Sequence, residues 1–290
     1  MRPATEADRP AIEAHLAARV ETSMFPLSNL RRHGMAGGHP RAMRFWVAGD
    51  PLHAVLGATE AGVVLPQIPP ALAPEVAAAL RGQRVVAVVG EAAQVAALRP
   101  ALGLDAAPAR LDAVEPLFSL DLARLRMPPT AGLALVLQEA VPRDLLVRWR
   151  AAYNHETLGS PEGDMAEAEA DVAAELAAGQ HRVLLRGGEP VSATGFNARL
   201  PGTVQVGGVW TPPEHRRQGL ARAAVALHLA EARAEGARRA VLFSASEPAA
   251  RAYRALGFRE AGRFALLLLA GPVEVAGARP HAPSHARSHG

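Results

Sequence analysis

Residues 204–221 read Val-Gln-Val-Gly-Gly-Val-Trp-Thr-Pro-Pro-Glu-His-Arg-Arg-Gln-Gly-Leu-Ala, and this stretch decides how the second half of the chain folds. A β-branched run ends at Trp210, a short polar loop follows, and Gly219 opens a long Ala-rich helix. The first backbone N–H groups of a helix have no partner within it, and the helix dipole places positive potential there. Glycine lets the backbone approach an anion, and Arg216 and Arg217 add positive charge. The stretch therefore predicts that a phosphate-bearing ligand binds at this turn.

The hexad Arg216-Arg217-Gln218-Gly219-Leu220-Ala221 resembles a signature of the GNAT-type N-acetyltransferases. That signature is Gln or Arg, two variable residues, Gly, one variable residue, and then Gly or Ala. A chance match is expected in a chain this rich in Arg, Gly and Ala, and residues 31–36, Arg-Arg-His-Gly-Met-Ala, supply one. No strand precedes that copy, and the Gly-Gly-His-Pro run at 37–40 cannot start a helix. Only the second copy lies between a predicted strand and a predicted helix.

Residues 246–258, Ser-Glu-Pro-Ala-Ala-Arg-Ala-Tyr-Arg-Ala-Leu-Gly-Phe, carry a second feature of the same family. The family places a short polar residue, Ala, Tyr and Gly-Phe at this spacing after a strand, here predicted at 239–243. The first position is more often Asn in the family. Ser246 is a predicted N-cap, and Gly257 suits the position that follows the helix. The two motifs together extend the resemblance over about residues 131–270.

The resemblance implies a fold, an acyl donor and a set of binding residues. The fold is α/β (α+β), with two tandem GNAT-like domains, each a twisted, mixed and mostly antiparallel sheet flanked by helices. The donor is acetyl-coenzyme A, which the family holds at the phosphate loop and along a fourth strand that splays from the fifth. The residues that take these cofactor-binding roles here are Val209, Thr211, Arg216, Arg217, Gln218, Gly219, Leu220, Ala221 and Ser246.

Tyr253 occupies the position of the family's general acid. Acetyl transfer to an amine needs a neutral nitrogen, although an alkyl ammonium has a pKa of about 10, and the departing thiolate must take a proton. A phenol within reach of the sulfur supplies that proton. The alternative is a structural tyrosine whose ring packs on the sheet beside Phe258.

The sequence leaves the general base open. Many relatives carry a Glu on the fourth strand, where this chain has Gln205. A predicted polar loop at 153–163 borders the acceptor pocket in the family, so its side chains are candidates, with a water chain or a simply solvated loop as alternatives. These candidates for the base are Glu156 and His155. Near the third strand, Asn197 and Arg199 are candidates for binding an acceptor carboxylate.

Composition excludes several classes of function. The chain has 290 residues, enough for two domains, and its net charge of +3 is too small to indicate a nucleic-acid partner. There is no Cys, which excludes disulfides, thiol catalysis and Cys-ligated metal. No apolar run approaches 18 residues, and the N-terminus lacks the apolar core of a signal peptide. We therefore expect no membrane partner, and the cytoplasm is the default location.

The predicted elements of the first half are two helices, a meander, and then helix, strand, helix and strand, which resembles the order of elements in the GNAT family. Where its phosphate loop would stand, residues 66–70 read Pro-Gln-Ile-Pro-Pro, without glycine or arginine. We interpret residues 1–127 as a degenerate GNAT-like domain without a cofactor loop; the alternative is an unrelated α/β domain. A linker leads to the acetyltransferase domain at 131–275. Residues 276–290 form a His- and Pro-rich tail, predicted to be disordered and without a metal site.

In the second half we predict the helices and strands from periodicity and from Gly and Pro positions. The predicted helices are 142–152, 164–178 and 219–235, and the predicted strands are 133–137, 181–186, 190–198, 203–210, 239–243, 258–261 and 263–269.

These features predict an N-acetyltransferase that moves an acetyl group from acetyl-coenzyme A directly to an amine of a small molecule or peptide. Transfer is direct because no Cys is present to carry the acetyl group. The alternative is a non-catalytic acyl-coenzyme A sensor, favoured by the missing strand carboxylate and disfavoured by Tyr253. The identity of the acceptor and the choice between monomer and homodimer stay open.

Overall fold

The computed structural model describes residues 1–35, 37–244 and 246–276. The predicted disordered tail, apart from its first residue, lies outside the described residues, and so does the question of a metal site on its histidines.

Helices and strands of the described residues are numbered in chain order. The helices are α1 (Arg9–Ala17), α2 (Val20–His33), α3 (Ala73–Ala79), α4 (Ala92–Ala101), α5 (Arg143–Leu158), α6 (Met165–Ala178), α7 (Leu220–Ala234) and α8 (Glu247–Leu256). The strands are β1 (Arg2–Pro3), β2 (Met43–Ala48), β3 (Ala54–Thr59), β4 (Val63–Gln67), β5 (Arg84–Glu91), β6 (Ala109–Asp121), β7 (Leu133–Leu137), β8 (His181–Arg186), β9 (Glu189–Leu200), β10 (Thr203–Trp210), β11 (Arg239–Phe243) and β12 (Arg259–Glu274). In the described part of the chain, no helix has both the length and the apolar character needed to cross a bilayer.

All twelve strands belong to one sheet, in the order β1-β2-β3-β4-β5-β12-β6-β11-β10-β9-β8-β7. Neighbouring strands are antiparallel except in two pairs, β4–β5 and β10–β11. One parallel pair lies in each half of the chain. The second strand of each pair is followed by a helix, α4 after β5 and α8 after β11. The predicted mixed, mostly antiparallel α/β class is confirmed.

The two halves exchange their last strands. β12, at the end of the chain, lies between β5 and β6 and is antiparallel to both. β6, at the end of the first half, lies in turn against β11 of the second half, with Leu117 opposite Phe243. The hydrogen-bonded sheet therefore crosses the linker at which the predicted bounds divide the chain, and each half is completed by a strand from the other.

Alternation along β6 assigns the helices to the two faces of the sheet. Leu117 packs in a cluster with Leu16 of α1 and Leu27 of α2. Phe118, on the opposite face, packs with Val225 of α7 and Ala250 of α8. We call these the α2 face and the α8 face. Helices α5 and α6 lie on the α2 face, because they pack against one side of β8 and α7 packs against the other.

Two local predictions were wrong. Residues 153–158, predicted as part of a polar loop, form the last turns of α5, which ends at Gly159 in the left-handed conformation with φ of +68°. A Cβ at Gly159 would lie 2.1 Å from the carbonyl oxygen of Arg110, so the chain turns there against β6. The two strands predicted at 258–261 and 263–269 are one long strand, β12, whose register shifts between Glu260 and Gly262.

The strand exchange predicts that the halves stay together when the linker is cut. Residues 128–131 would be replaced by a site for a specific protease, and the cleaved protein run on gel filtration. We expect the two fragments to elute as one species and to separate only in denaturant, because β12 stays paired along β5 and β6. Two separately eluting folded fragments would show instead that each half folds by itself.

Candidate functional site

A cleft opens in the sheet where β10 and β11 diverge. The two strands are paired in parallel only at Thr203, Val204 and Gln205, whereas β10 stays paired with β9 as far as Trp210. The gap holds a cavity of about 690 Å³, which we call the splay cleft. Its lining comes from both faces of the sheet, including α8 on one side and α5 and β6 on the other. The cleft therefore brings residues from both faces of the sheet to one cavity.

The loop after β10 delivers a helix N-terminus to the cleft. Gly219 precedes α7 with φ of +76° and ψ of 7°, the left-handed region that glycine adopts most easily. The first helical N–H that finds an acceptor in its own helix is that of Ala223, bonded to the Gly219 carbonyl at 3.0 Å. The N–H groups of Leu220 and Ala221 precede it, and both residues line the cleft. This arrangement fits the predicted phosphate cradle.

The positive charge of Arg216 is already paired with a carboxylate. Its guanidinium donates to both carboxylate oxygens of Glu156, at 3.0 and 2.9 Å, and lies 4.9 Å from the centre of the Trp210 ring. Its Nε donates to the carbonyl of Thr211 at 2.9 Å, so that carbonyl already has a partner. Arg217 also lines the cleft, is exposed, and forms no ion pair in the part of the chain that the structure describes.

Arg222, in the first turn of α7, is a cation of the cleft that the sequence analysis did not select. Its guanidinium lies beside Gly219, where a Cβ would be 3.6 Å from Nη2. Its Nε is buried and has no hydrogen-bond partner among the described residues. A buried donor without a partner is uncommon, and a helix N-terminus that takes an anion would supply one.

The other predicted cofactor residues fall into two groups. Val209 and Ser246 line the splay cleft, and Ser246 caps α8 by accepting the N–H of Ala249 at 3.4 Å. Gln218 does not line the cleft; its side-chain oxygen accepts a hydrogen bond from Arg186 at 2.6 Å.

Tyr253 reaches the cleft from α8. It is 9% exposed, and its ring packs edge-on against Phe258, with centroids 5.9 Å apart. Burial raises the pKa of Tyr253 well above its ordinary value. The phenol therefore keeps its proton at neutral pH, as a general acid must. Because it lies both in the core and in the cleft lining, its position is compatible with a structural role and with a chemical role.

Tyr153 is a second phenol in the cleft, missed because the helix that carries it was predicted to end at 152. It comes from α5 on the opposite face of the sheet, and its ring meets Trp210 edge-on at 6.4 Å. Burial raises its pKa, opposed by the charge of Arg150, whose guanidinium lies 5.1 Å from the ring centre. Arg150 is held by Asp171 at 3.0 Å and Glu175 at 2.8 Å, so an ion-pair network with α6 fixes this side of the cleft.

Glu115 is a third residue of the cleft that sequence reasoning missed, besides Arg222 and Tyr153. It lies on β6, the strand from the first half, two residues from Leu117 and therefore on the α2 face. It lines the splay cleft although it is only 7% exposed, and burial raises the pKa of its carboxyl group. One signal in the sequence is a single carboxylate in the otherwise apolar alternation Leu111, Ala113, Glu115, Leu117.

The structure brings only some of the predicted acceptor-side candidates to the cleft. Glu156 lines it but is paired with Arg216, and His155 is turned toward the Ser160 carbonyl at 3.0 Å. Asn197 lines the cleft and lies across Gly207, where a Cβ would be 2.1 Å from its side chain. Arg199 lies elsewhere, in a separate surface groove.

The corresponding position in the first half is filled by its own side chains. The backbone N–H of Ile68 donates to Gln94 at 3.0 Å, and the side-chain oxygen of Gln67 accepts from Ser23 at 2.8 Å. A Cβ at Gly90 would lie 3.1 Å from the ring of Pro66, so β4 and β5 are in close contact where they diverge. Within the described residues, no group of three or more His, Cys, Asp or Glu could hold a metal ion.

Comparison with known proteins identifies a matching family and structures with the same fold. The model of the Acetyltransferase (GNAT) family matches residues 145–258, which are therefore a GNAT acetyltransferase domain. Members of this family transfer acyl groups from acyl-coenzyme A. The comparison with curated proteins finds no match.

Three solved structures share the fold over nearly the whole chain. A GCN5-related N-acetyltransferase from Kribbella flavida has a TM-score of 0.55 and 22% identity, over 88% of this chain and 96% of that one. A tandem GNAT protein from the clavulanic acid biosynthesis pathway has a TM-score of 0.55 and 17% identity, over 96% and 99%. A GCN5-related N-acetyltransferase from Sphaerobacter thermophilus has a TM-score of 0.56 and 18% identity, over 95% of both chains. The predicted tandem GNAT fold is confirmed.

Proposed function

We propose that this chain is an N-acetyltransferase that moves an acetyl group from acetyl-coenzyme A to an amine of a small molecule or peptide. The observation that carries this proposal is the splay cleft, which joins a helix N-terminus on one face of the sheet to a buried pocket on the other. The N–H groups at the start of α7, with Arg217 and Arg222, would hold the pyrophosphate. The pantetheine arm would lie along the edge of β10 near Val209 and enter the gap between β10 and β11. The thioester would then lie between the two faces of the sheet.

The two faces of the cleft have different roles in the proposed reaction. The amine attacks the thioester carbonyl from the α2 face, and the sulfur departs on the α8 face, where Tyr253 lies. The phenol of Tyr253 gives the sulfur a proton as the C–S bond breaks. Transfer within one ternary complex is consistent with the absence of Cys from the chain.

The first half takes no cofactor in this proposal. Its counterpart of the cleft is occupied by Gln67, Gln94 and Pro66, and its short loop has no cationic side chain. The role of that half is structural and includes the supply of β6 to the active half.

Two measurements on the full chain test the proposal. Calorimetric titration should show one acetyl-coenzyme A site per chain, because only the second half has a cradle. Thiol release from acetyl-coenzyme A should then depend on added amine when a panel of primary amines is screened. Binding without thiol release for any amine would overturn the transfer reaction and identify the chain as a non-catalytic acyl-coenzyme A sensor. Two binding sites per chain would contradict the proposed role of the first half.

A further inference from the structure

The splay cleft contains a buried carboxylate with nothing to neutralise it. Glu115 is 7% exposed and lines the cleft, yet it forms no ion pair or side-chain hydrogen bond with residues 1–35, 37–244 or 246–276. Burial is the cause that raises the pKa of its carboxyl group, without compensation from any cation. An unpaired buried carboxylate costs free energy in a folded protein, so its presence in a cavity indicates a ligand that pairs with it.

The surroundings of Glu115 are apolar. Leu111 on the same strand, Phe243 on β11 and Leu266 on β12 line the cleft on the α2 face. The other carboxylate of the cleft, Glu156, is already neutralised by Arg216. Titratable groups near Glu115 are the phenols of Tyr153 and Tyr253, both of which its charge influences. The described residues of this face therefore present one uncompensated negative charge in an apolar wall.

We propose that Glu115, delivered to the active half by the strand exchanged from the first half, binds the ammonium group of the acceptor and takes its proton, and that the acceptor is a primary amine on an apolar body without a carboxylate. This inference rests on the proposed function and narrows its acceptor class. An amino acid is disfavoured because the cations nearest this wall are already paired, Arg150 with Asp171 and Glu175 and Arg216 with Glu156. Arg199 lies in a separate groove.

Protons and electrons balance in the proposed step. Glu115 takes one proton from the ammonium, and the neutral nitrogen attacks the thioester carbonyl carbon with its electron pair. The C–N bond forms, and collapse of the tetrahedral intermediate breaks the C–S bond. The sulfur leaves with the electron pair of the C–S bond and takes a proton from Tyr253. The nitrogen's second proton restores the phenol, and Glu115 releases its own proton to solvent.

The first test measures amine binding to the full chain loaded with coenzyme A, so it does not depend on turnover. The probe is 2-phenylethylamine, with 2-phenylethanol as its uncharged counterpart and phenylalanine as its carboxylate-bearing counterpart. The variants are Glu115→Gln and, as a control, Asp112→Asn, which makes the same change at an exposed position of β6 paired with Arg99. We expect the wild type to prefer the amine to both counterparts by at least about tenfold, a difference of about 1.4 kcal/mol. Glu115→Gln should lose that preference, and Asp112→Asn should keep it.

Equal amine affinity in the wild type and in Glu115→Gln would overturn the proposal, as would a wild type that does not bind the amine. Unfolding measured across pH checks that Glu115→Gln is folded. Because burial raises the pKa of Glu115, ionising it at neutral pH destabilises the folded state. We therefore expect the Gln variant to be the more stable at pH 7, and the difference to vanish below the unfolded carboxyl pKa of about 4.3.

The second test follows thiol release across pH. Glu115→Gln should lower kcat/KM at neutral pH by ~10²–10⁴, and the gap should narrow as the pH approaches the amine pKa of about 10 and free amine no longer needs a base. A loss of kcat/KM caused only by altered structure would be equal at every pH, and that result would overturn the assignment of Glu115 as the base. Amine binding that depends on Glu115, without any thiol release, would leave the amine site standing and refute the transfer reaction.

Discussion

Replacing Tyr253 by Phe is expected to lower kcat by ~10²–10⁴, the usual effect of a lost general acid, and to leave the dissociation constant of acetyl-coenzyme A almost unchanged. The substitution removes one hydroxyl and keeps the ring, so the edge-on contact with Phe258 survives. The structure supports this expectation because burial raises the pKa of Tyr253, which keeps the donor protonated across the neutral range. Thiol release and calorimetry on the same preparation measure the two effects separately.

The second phenol of the cleft, that of Tyr153, provides a comparison for this prediction. The chain contains only two tyrosines, and both line the splay cleft from opposite faces of the sheet. Tyr153→Phe should cost less kcat than Tyr253→Phe, because Tyr153 comes from α5 on the face where the acceptor would lie. If the larger loss followed Tyr153→Phe, the leaving thiolate would take its proton from the other side of the sheet. An undiminished kcat in both variants would show that the phenols only pack.

The strand, glycine turn and helix start that form the proposed phosphate cradle could be predicted from the sequence because their determinants are local. A strand, a loop with two arginines and a helix follow one another within 204–221, and turn and helix chemistry depends on residues a few positions apart. The rejected hexad at 31–36 illustrates the same point. There the chain closes a helix instead of opening one, since Gly34 follows the last residue of α2.

Two features that the sequence did not reveal depend on long-range pairing. Glu115 reaches the cleft only because β6 leaves its own half and lies against β11, which no local pattern specifies. Arg216 loses its free charge to Glu156, a residue 60 positions away in the sequence. Tyr153 was missed for a local reason, because the polar residues after it favour a loop. In the structure the helix continues to Leu158, and Gly159 packs against β6.

With Glu115 as the proposed base, the exchanged strand gives the first half a part in the reaction, although that half has no predicted cofactor loop. That half has its own helices, its own core and the strand that carries Glu115, while Gln67 and Gln94 fill its counterpart of the splay cleft. Loss of the cradle there and retention of the carboxylate on β6 are compatible, because β6 serves the other half. A tandem chain with one cofactor site would in this way still need both halves for acceptor chemistry.

Gly219→Val is expected to weaken acetyl-coenzyme A binding by more than about tenfold, which is about 1.4 kcal/mol. Among the described residues that are not chain neighbours of Gly219, only Arg222 comes within 4 Å of a Cβ placed there. The loss arises because the branched side chain would cover the N–H groups at the start of α7 and hold Arg222 away from an anion. It also arises because φ of +76° costs a residue with a Cβ about 1–2 kcal/mol.

Backbone strain alone could mimic this effect, so the control must share the conformation. Gly179, which follows α6, has φ of +65° and ψ of 18°, and a Cβ there would meet nothing within 4 Å. Gly34 in the rejected hexad is a poorer match, because its ψ of −171° lies in a region that is essentially restricted to glycine. Calorimetry should find acetyl-coenzyme A affinity lost in Gly219→Val and retained in Gly179→Val, while thermal unfolding shows similar destabilisation of both. Equal affinities in the two variants would refute the cradle and place the pyrophosphate elsewhere along the cleft.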